Sequence, residues 1–175
     1  MSVPLYIVDA FAKKPYTGNP ASVCLLLDDT KSNEMSTDDY LRISSEMNHS
    51  ETCFIEYLPK SHPKYGTPNH YGLRWFTPTV EVKLCGHGTL ASAHTLFNEL
   101  KIEGDKIIFH TLSGELVVEQ KEGVLLLDFP QGNPQPIHLE EAIQQSMMDA
   151  FALDTNVVER VSFCGFVLFP VAPDQ

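Results

Sequence analysis

Between Phe76 and His94, in FTPTVEVKLCGHGTLASAH, a thiol, two glycines and an imidazole occupy the four consecutive residues Cys85 to Gly88, just ahead of a small-residue apolar run. That arrangement suits a small anion. A helix N-terminus leaves several backbone N–H groups without intrahelical acceptors, and Gly86 and Gly88 let a ligand approach them without meeting a side chain. Cys85 and His87 flank those donors. A strand-to-helix turn that merely needs small residues shows the same pattern. Glu51 is the second chemical group, placed between a helical stretch and the apolar run TCFIEYL, where partial burial suits a general acid/base. A glutamate exposed at a loop end has the same sequence signature.

The elements that must position these groups follow from patterning. LYIVDA (Leu5 to Ala10) and SVCLLL (Ser22 to Leu27) read as strands joined by a turn at Thr17-Gly18-Asn19-Pro20. Ser36 before Thr37-Asp38-Asp39 is an N-cap with an acidic first turn, and Tyr40, Leu41, Ile43, Ser44 and Met47 recur at helical spacing, so a helix spans Thr37 to Met47. Thr52 to Leu58 and Tyr71 to Phe76 are strand-like and read as a hairpin, with Pro59 to His70 as a surface loop. Leu90, Ala91, Ala93, His94 and Phe97 mark a central helix over about Gly88 to Leu100, apolar around much of its circumference. Lys106 to His110, Glu115 to Glu119 and Val124 to Phe129 form a meander. Gln131 to Pro136 reads as a linker, Leu139 to Phe151 as a helix, and Val157 to Phe169 as one or two strands. Strand and helix do not alternate regularly enough for parallel βαβ units. The fold class expected is therefore α+β, a small, mostly antiparallel β-sheet or barrel wrapped around one helix.

Composition restricts the partners. At 175 residues, with 43% hydrophobic and 10% aromatic content, the chain supports one packed domain plus part of another. The net charge is −11, and no basic cluster exceeds Lys13-Lys14, so nucleic acid and anionic membrane surfaces are excluded as partners. A small anionic metabolite remains compatible, because helix-end donors act over a few Å while net charge is screened beyond ~8 Å. The N-terminus lacks the pattern of a secretory signal, so a cytoplasmic location is expected. Cys24, Cys53, Cys85 and Cys164 form no C-x-x-C pair, which favours reduced thiols and no metal site. His49, His62, His70, His94, His110 and His138 show no spacing that defines a ligand set.

Four segments together resemble the phenazine-biosynthesis PhzF-like family, whose relatives include diaminopimelate epimerase and proline racemase: VDAFAKKPYTGNPASVCLL, SEMNHSETCFI, LRWFTPTVEVKLCGHGTLASAH and the meander ending in LLLDFP. The resemblance covers about residues 1–130. It implies a diaminopimelate epimerase-like lobe, with the active site at the start of the central helix, facing a second lobe. It further implies an isomerase that moves a proton on a small amino- or hydroxy-acid-like substrate without metal or organic cofactor. Glu51 matches the family's catalytic glutamate. His87 matches a histidine that binds substrate or relays a proton, though a turn-capping histidine is the other reading. Asn19, Ser50, Cys85, Gly86, Gly88 and Thr89 complete the substrate-binding set, Asn19 being equally suited to shaping its turn.

Cys85 aligns with a cysteine that acts as acid or base in the epimerase and racemase relatives, where a helix N-terminus activates the thiol. In PhzF-like members the glutamate takes that role, so Cys85 is read as lining the site. Departures from the family pattern are Gly88, where alanine or proline is common, and Lys83, where an acidic residue is common. Nothing after Gln131 matches the second lobe's G-x-E-D-P-x-T-G-S-A-H pattern. Residues 131–175 are thus expected to be a linker and an incomplete start of that lobe. The alternative to an active isomerase is a catalytically incompetent truncated or spliced lobe, acting as a homodimer or with a full-length relative.

Overall fold

The computed structural model describes residues 3–27, 35–129, 135–136, 140–150, 162–163 and 167–168. Most of the expected linker, His138, Cys164 and parts of the expected C-terminal helix and strands lie outside that set. The chain divides into two compact units, Met1–Phe129 and Pro130–Gln175.

In the first unit, β1 (Leu5–Ala10), β2 (Asn19–Leu26), α1 (Thr37–Met47), β3 (Thr52–Glu56), β4 (His70–Phe76) and β5 (Glu81–Val82) precede the central helix α2 (Gly86–His94). That helix finishes in a π-turn over Thr95–Glu99 and is followed by β6 (Lys106–Thr111), β7 (Gly114–Lys121) and β8 (Val124–Asp128). The strands form one sheet in the order β1-β2-β3-β4-β6-β7-β8, with β5 paired to β4. Most pairs are antiparallel, including the expected β3–β4 hairpin, but β2–β3 and β4–β6 are parallel. The expectation of no βαβ units is corrected at those two places. Each parallel step needs a crossover, and α1 and α2 supply them. β2 also starts earlier than Ser22, with Asn19 and Pro20 opposite Ala10 and Asp9 rather than in the turn. Proline is tolerated at that point because it sits near the strand's first residue.

β2 and β3 are buried on both faces for most of their length, whereas β4 buries alternate residues up to Trp75 and Phe76, and period-2 alternation sorts these residues between two cores. Val23, Leu25, Cys53, Ile55, Leu73 and Trp75 join a core with Ala91, Ala93, Leu96 and Phe97 of the central helix. Their neighbours Cys24, Leu26, Phe54 and Phe76 pack instead with Tyr40 of α1. The central helix approaches the sheet closely because its inward residues are small. Its buried hydroxyls bond their own helix, Ser92 to the Gly88 carbonyl at 2.8 Å and Thr95 to the Ala91 carbonyl at 2.9 Å. α1 begins with a capping box in which Ser36 and Asp39 satisfy each other's backbone N–H, and ends on Asn48 in the left-handed region at φ 52°.

In the second unit, β9 (Gln135–Pro136), β10 (Ser162–Phe163) and β11 (Val167–Leu168) form a small antiparallel sheet, and the unit also contains α3 (Glu141–Ala150). Pro136, read as linker, lies in this sheet opposite Ser162. No described helix is long and apolar enough to cross a membrane.

Topology also assembles a histidine cluster. His70 Nδ1 and His110 Nε2 lie 2.9 Å apart, with His62 edge-on to His110. Burial, with Lys64 and His62 nearby, lowers the pKa of both His70 and His110 below the ordinary 6.5, and Glu115 only partly opposes this. A folded-state pKa below the unfolded one means the unfolded chain binds more protons in the window, so this contribution is complete above pH 6.5 and is lost as pH falls through the folded values. Denaturation midpoints are expected to decline with pH below 6.5, and less so in a His70→Gln/His110→Gln chain. Equal slopes for the two proteins would contradict this.

Candidate active site

Glu51 is delivered by the short segment between α1 and β3. The left-handed Asn48 turns the chain out of the helix, and Ser22 of β2 then grips the segment twice. Its backbone N–H donates to the Glu51 carbonyl at 3.2 Å, and its fully buried hydroxyl meets His49 Nδ1 at 2.7 Å. Neither Ser22 nor its contact with His49 was legible in the sequence, since the two lie 27 positions apart in unrelated elements.

The opposite side of the site is the start of the central helix. The helix begins at Gly86, two residues before the expected Gly88, because Cys85 is its extended N-cap and its thiol accepts the Gly88 N–H at 3.3 Å. Thr89 N–H and hydroxyl both donate to the Cys85 carbonyl, at 3.1 and 2.6 Å. The first two N–H groups, those of Gly86 and His87, are the ones whose position leaves no intrahelical acceptor. At the far end of the expected set, the Gly88 N–H is taken by a thiol, and Thr89 is buried with both donors turned to the turn itself.

The His87 ring joins the two sides. Its Nε2 stands 3.2 Å from Glu51 Oε2 and 3.3 Å from Ser50 Oγ, and its Nδ1 stands 3.4 Å from Cys85 Sγ. The His87–Glu51 approach is a close contact rather than an aligned hydrogen bond, so Glu51 Oε2 is buried with no hydrogen-bond donor among the described residues. A buried carboxylate oxygen without a donor is a poised proton acceptor. Exposed Ser50 leaves the site open to solvent on one side. Asn19 is exposed at the head of β2, and among the described residues no side-chain hydrogen bond ties it to Glu51, Cys85 or His87.

Burial pushes the Cys85 thiol up to about 12; the Gly88 N–H pulls it back only in part, and the Glu51 charge raises it further. Cys85 is therefore a neutral thiol at pH 7, not the activated thiolate that a helix N-terminus alone would favour. Glu51, Cys85 and His87 offer an oxygen, a sulfur and a nitrogen within 4.8 Å of one another, a set able to hold a metal ion if the thiol gives up its proton. Two surface pockets lie elsewhere, one of about 320 Å³ beside Tyr57, Tyr65 and Tyr71 and one of about 600 Å³ along β1 and the central helix.

The family model described as phenazine biosynthesis-like protein, PhzC-PhzF, matches residues 8–171. The chain belongs to the PhzC-PhzF family. A phenazine biosynthesis-like domain-containing protein of Bos taurus is 42% identical over 161 residues, 89% of this chain and 53% of that protein. A protein of Halalkalibacterium halodurans named as an uncharacterised isomerase is 39% identical over 166 residues, 93% of this chain and 56% of that one. The crystal structure of a PhzF-family protein from Enterococcus faecalis aligns with a TM-score of 0.75 at 33% identity, covering 99% of this chain and 59% of that chain. The PhzC-PhzF chain thus spans about half the length of the curated relatives it matches. Its α+β architecture, a mixed sheet curled about a central helix, is the PhzF type expected from the resemblance.

Gly88 is required in this PhzC-PhzF chain by close approach. A Cβ there would lie 2.8 Å from Cys53 Sγ, 2.9 Å from Trp75 Cδ1 and 3.0 Å from Cys85 Sγ. Gly88→Ala gains up to ~1 kcal/mol of helix propensity but overpacks by about 1–3 kcal/mol, so net destabilisation is expected in denaturant titrations. Cys53→Ala is expected to cost less in the Gly88→Ala background than alone, a coupling that a double-mutant cycle reads. Independent, additive effects would refute the crowding.

Proposed function

We propose that this chain carries the proton-transfer wall of a PhzF-like isomerase. The observation that carries the reading is Glu51 Oε2, buried without a donor among the described residues, beside His87 Nε2 and near the first two N–H groups of the central helix, which by position have no intrahelical acceptor. The substrate is a small anionic metabolite, an amino or hydroxy acid with an acidic C–H next to a carboxylate. Glu51 takes that proton as the C–H bond breaks, and the electron pair moves to the substrate's carboxyl or carbonyl oxygen. The Gly86 and His87 N–H groups hold the oxygen charge. Glu51 or His87 returns a proton to a different position or face, and no atoms are gained or lost overall. Cys85 and Ser50 line the site, and neither metal nor organic cofactor takes part. The naming of bacterial relatives as isomerases supports the class. The test is solvent-deuterium incorporation into a panel of amino and hydroxy acids incubated with the protein. Incorporation that depends on the protein is expected; none in any member of the panel would sink the reading.

A second reading is favoured by the exposed apolar residues Ile7 and Phe11 at the β1 edge and Val124 and Leu126 on β8. In it the chain is a non-catalytic lobe that pairs with a second copy or a full-length relative. Sedimentation over a range of concentrations tests it, and a monomer throughout, alone and with the relative, contradicts it.

A further inference from the structure

Three histidines with no meaningful sequence spacing meet on one face of the sheet. Parallel pairing sets His70 of β4 opposite Ile108 and His110 of β6 opposite Gly72, so the two imidazoles are diagonal neighbours. Their facing nitrogens, Nδ1 of His70 and Nε2 of His110, are 2.9 Å apart. The His62 ring, from the loop before β4, stands edge-on to His110 with centroids 4.6 Å apart. Antiparallel pairing of β6 with β7 places Glu115 opposite His110, its carboxylate 3.5 Å from Nδ1. This cluster is separate from the Glu51 site and plays no part in the isomerase reading.

We propose that it is a binding site for a divalent transition-metal ion of zinc type, ligated by His70 Nδ1, His110 Nε2 and His62. The two nitrogens already face each other at hydrogen-bonding distance, and a metal would take the place of the proton between them. Tetrahedral zinc with bonds of about 2.0–2.1 Å sets two ligand nitrogens ~3.3 Å apart, so the pair opens by only ~0.4 Å. Glu115 at His110 Nδ1 forms the carboxylate–histidine–metal arrangement that fixes the ligand's tautomer and raises its basicity. His62 is the ligand that must move, because its Nδ1 now accepts the Lys64 N–H at 3.1 Å. Its place in a surface loop allows the ring to turn. Lys64 also faces the cluster and opposes a cation, but the residue is exposed and its ammonium can swing into water. Imidazole ligands with one water at the fourth position define the site as a borderline-soft one, suited to Zn²⁺, Co²⁺ or Ni²⁺ rather than Ca²⁺ or Mg²⁺.

The test uses the untagged full chain carrying Cys85→Ser, which removes the sulfur ligand from the Glu51 site. Co²⁺ serves as the spectroscopic stand-in for Zn²⁺. One Co²⁺ per chain is expected, with tetrahedral visible absorption and no thiolate charge-transfer band. Glu115→Gln is expected to weaken binding about tenfold, and His70→Asn or His110→Asn by more. Circular dichroism checks that the Asn variants fold, and imidazole NMR shifts of His62, His70 and His110 on Zn²⁺ addition give a readout free of mutation. No saturable Co²⁺ binding overturns the proposal, and so does binding that survives His70→Asn and His110→Asn unchanged or Zn²⁺ shifts confined to other histidines.

Discussion

Glu51→Gln is expected to lower solvent-deuterium exchange into an accepted substrate roughly 10²–10⁴-fold, the usual contribution of one general acid/base. The amide matches the carboxylate in size but cannot take up a proton. Because Glu51 Oε2 has no donor among the described residues, its replacement breaks no hydrogen bond with them, and denaturation midpoints are expected to stay within ~1 kcal/mol of the parent. The activity loss would then be chemical rather than structural. Cys85→Ser separates the two candidate bases. With its thiol held up to about 12, Cys85 is not ionised at pH 7, so its loss is expected to leave most of the exchange in place. A collapse of exchange in Cys85→Ser with survival in Glu51→Gln would reverse the assignment.

Trp75→Ala is expected to destabilise the first unit by about 3–5 kcal/mol, the range for emptying a buried large aromatic site. Trp75 is 1% exposed and belongs to the core that the central helix closes, and its Cδ1 lies 2.9 Å from where a Cβ on Gly88 would stand. The void would open directly beneath the helix start. Trp75→Phe is expected to cost less than about 1.5 kcal/mol, because the ring still fills most of the space and the indole N–H, buried without a partner among the described residues, is removed with it. Equilibrium denaturation of the two variants checks the order. Equal losses would show that the indole nitrogen has a partner that matters.

Local signals carried much of the fold. α1 was readable because Ser36, the acidic first turn and the spacing of Tyr40 and Ser44 all agree, and the structure ends it at the same Met47. The hairpin of β3 and β4 followed from two apolar runs around a Pro/Gly loop. The parallel joins were not readable. Whether β2 pairs with β3 parallel or antiparallel depends on whether the connection through α1 returns the chain to the end of the sheet where β2 began, and the two strands have the same composition in either case. The start of the central helix was misplaced by two residues because cysteine is an uncommon N-cap, and the thiol's contact with Gly88 N–H is visible only in three dimensions. That contact leaves the N–H groups of Gly86 and His87, not that of Gly88, as the donors of the proposed anion site.

At the site, Glu51, Ser50, Cys85 and His87 were found from residue type and family resemblance, and the fold brings all four together. Thr89, also in the expected set, is turned inward by the helix one position after Gly88. The Ser22–His49 anchor and the His62–His70–His110 cluster were hidden for one reason: strand pairing, not sequence spacing, creates them.

The central claim is that the start of the central helix and Glu51 form one anion-accepting site in this chain. It is tested most directly by following the backbone amides of ¹⁵N-labelled protein during titration with small amino- and hydroxy-carboxylates. Saturable shifts centred on Gly86 and His87, altered in Glu51→Gln, are the predicted result. Shifts that spare Gly86 and His87, or that centre on the Tyr57–Tyr71 pocket instead, would contradict the account.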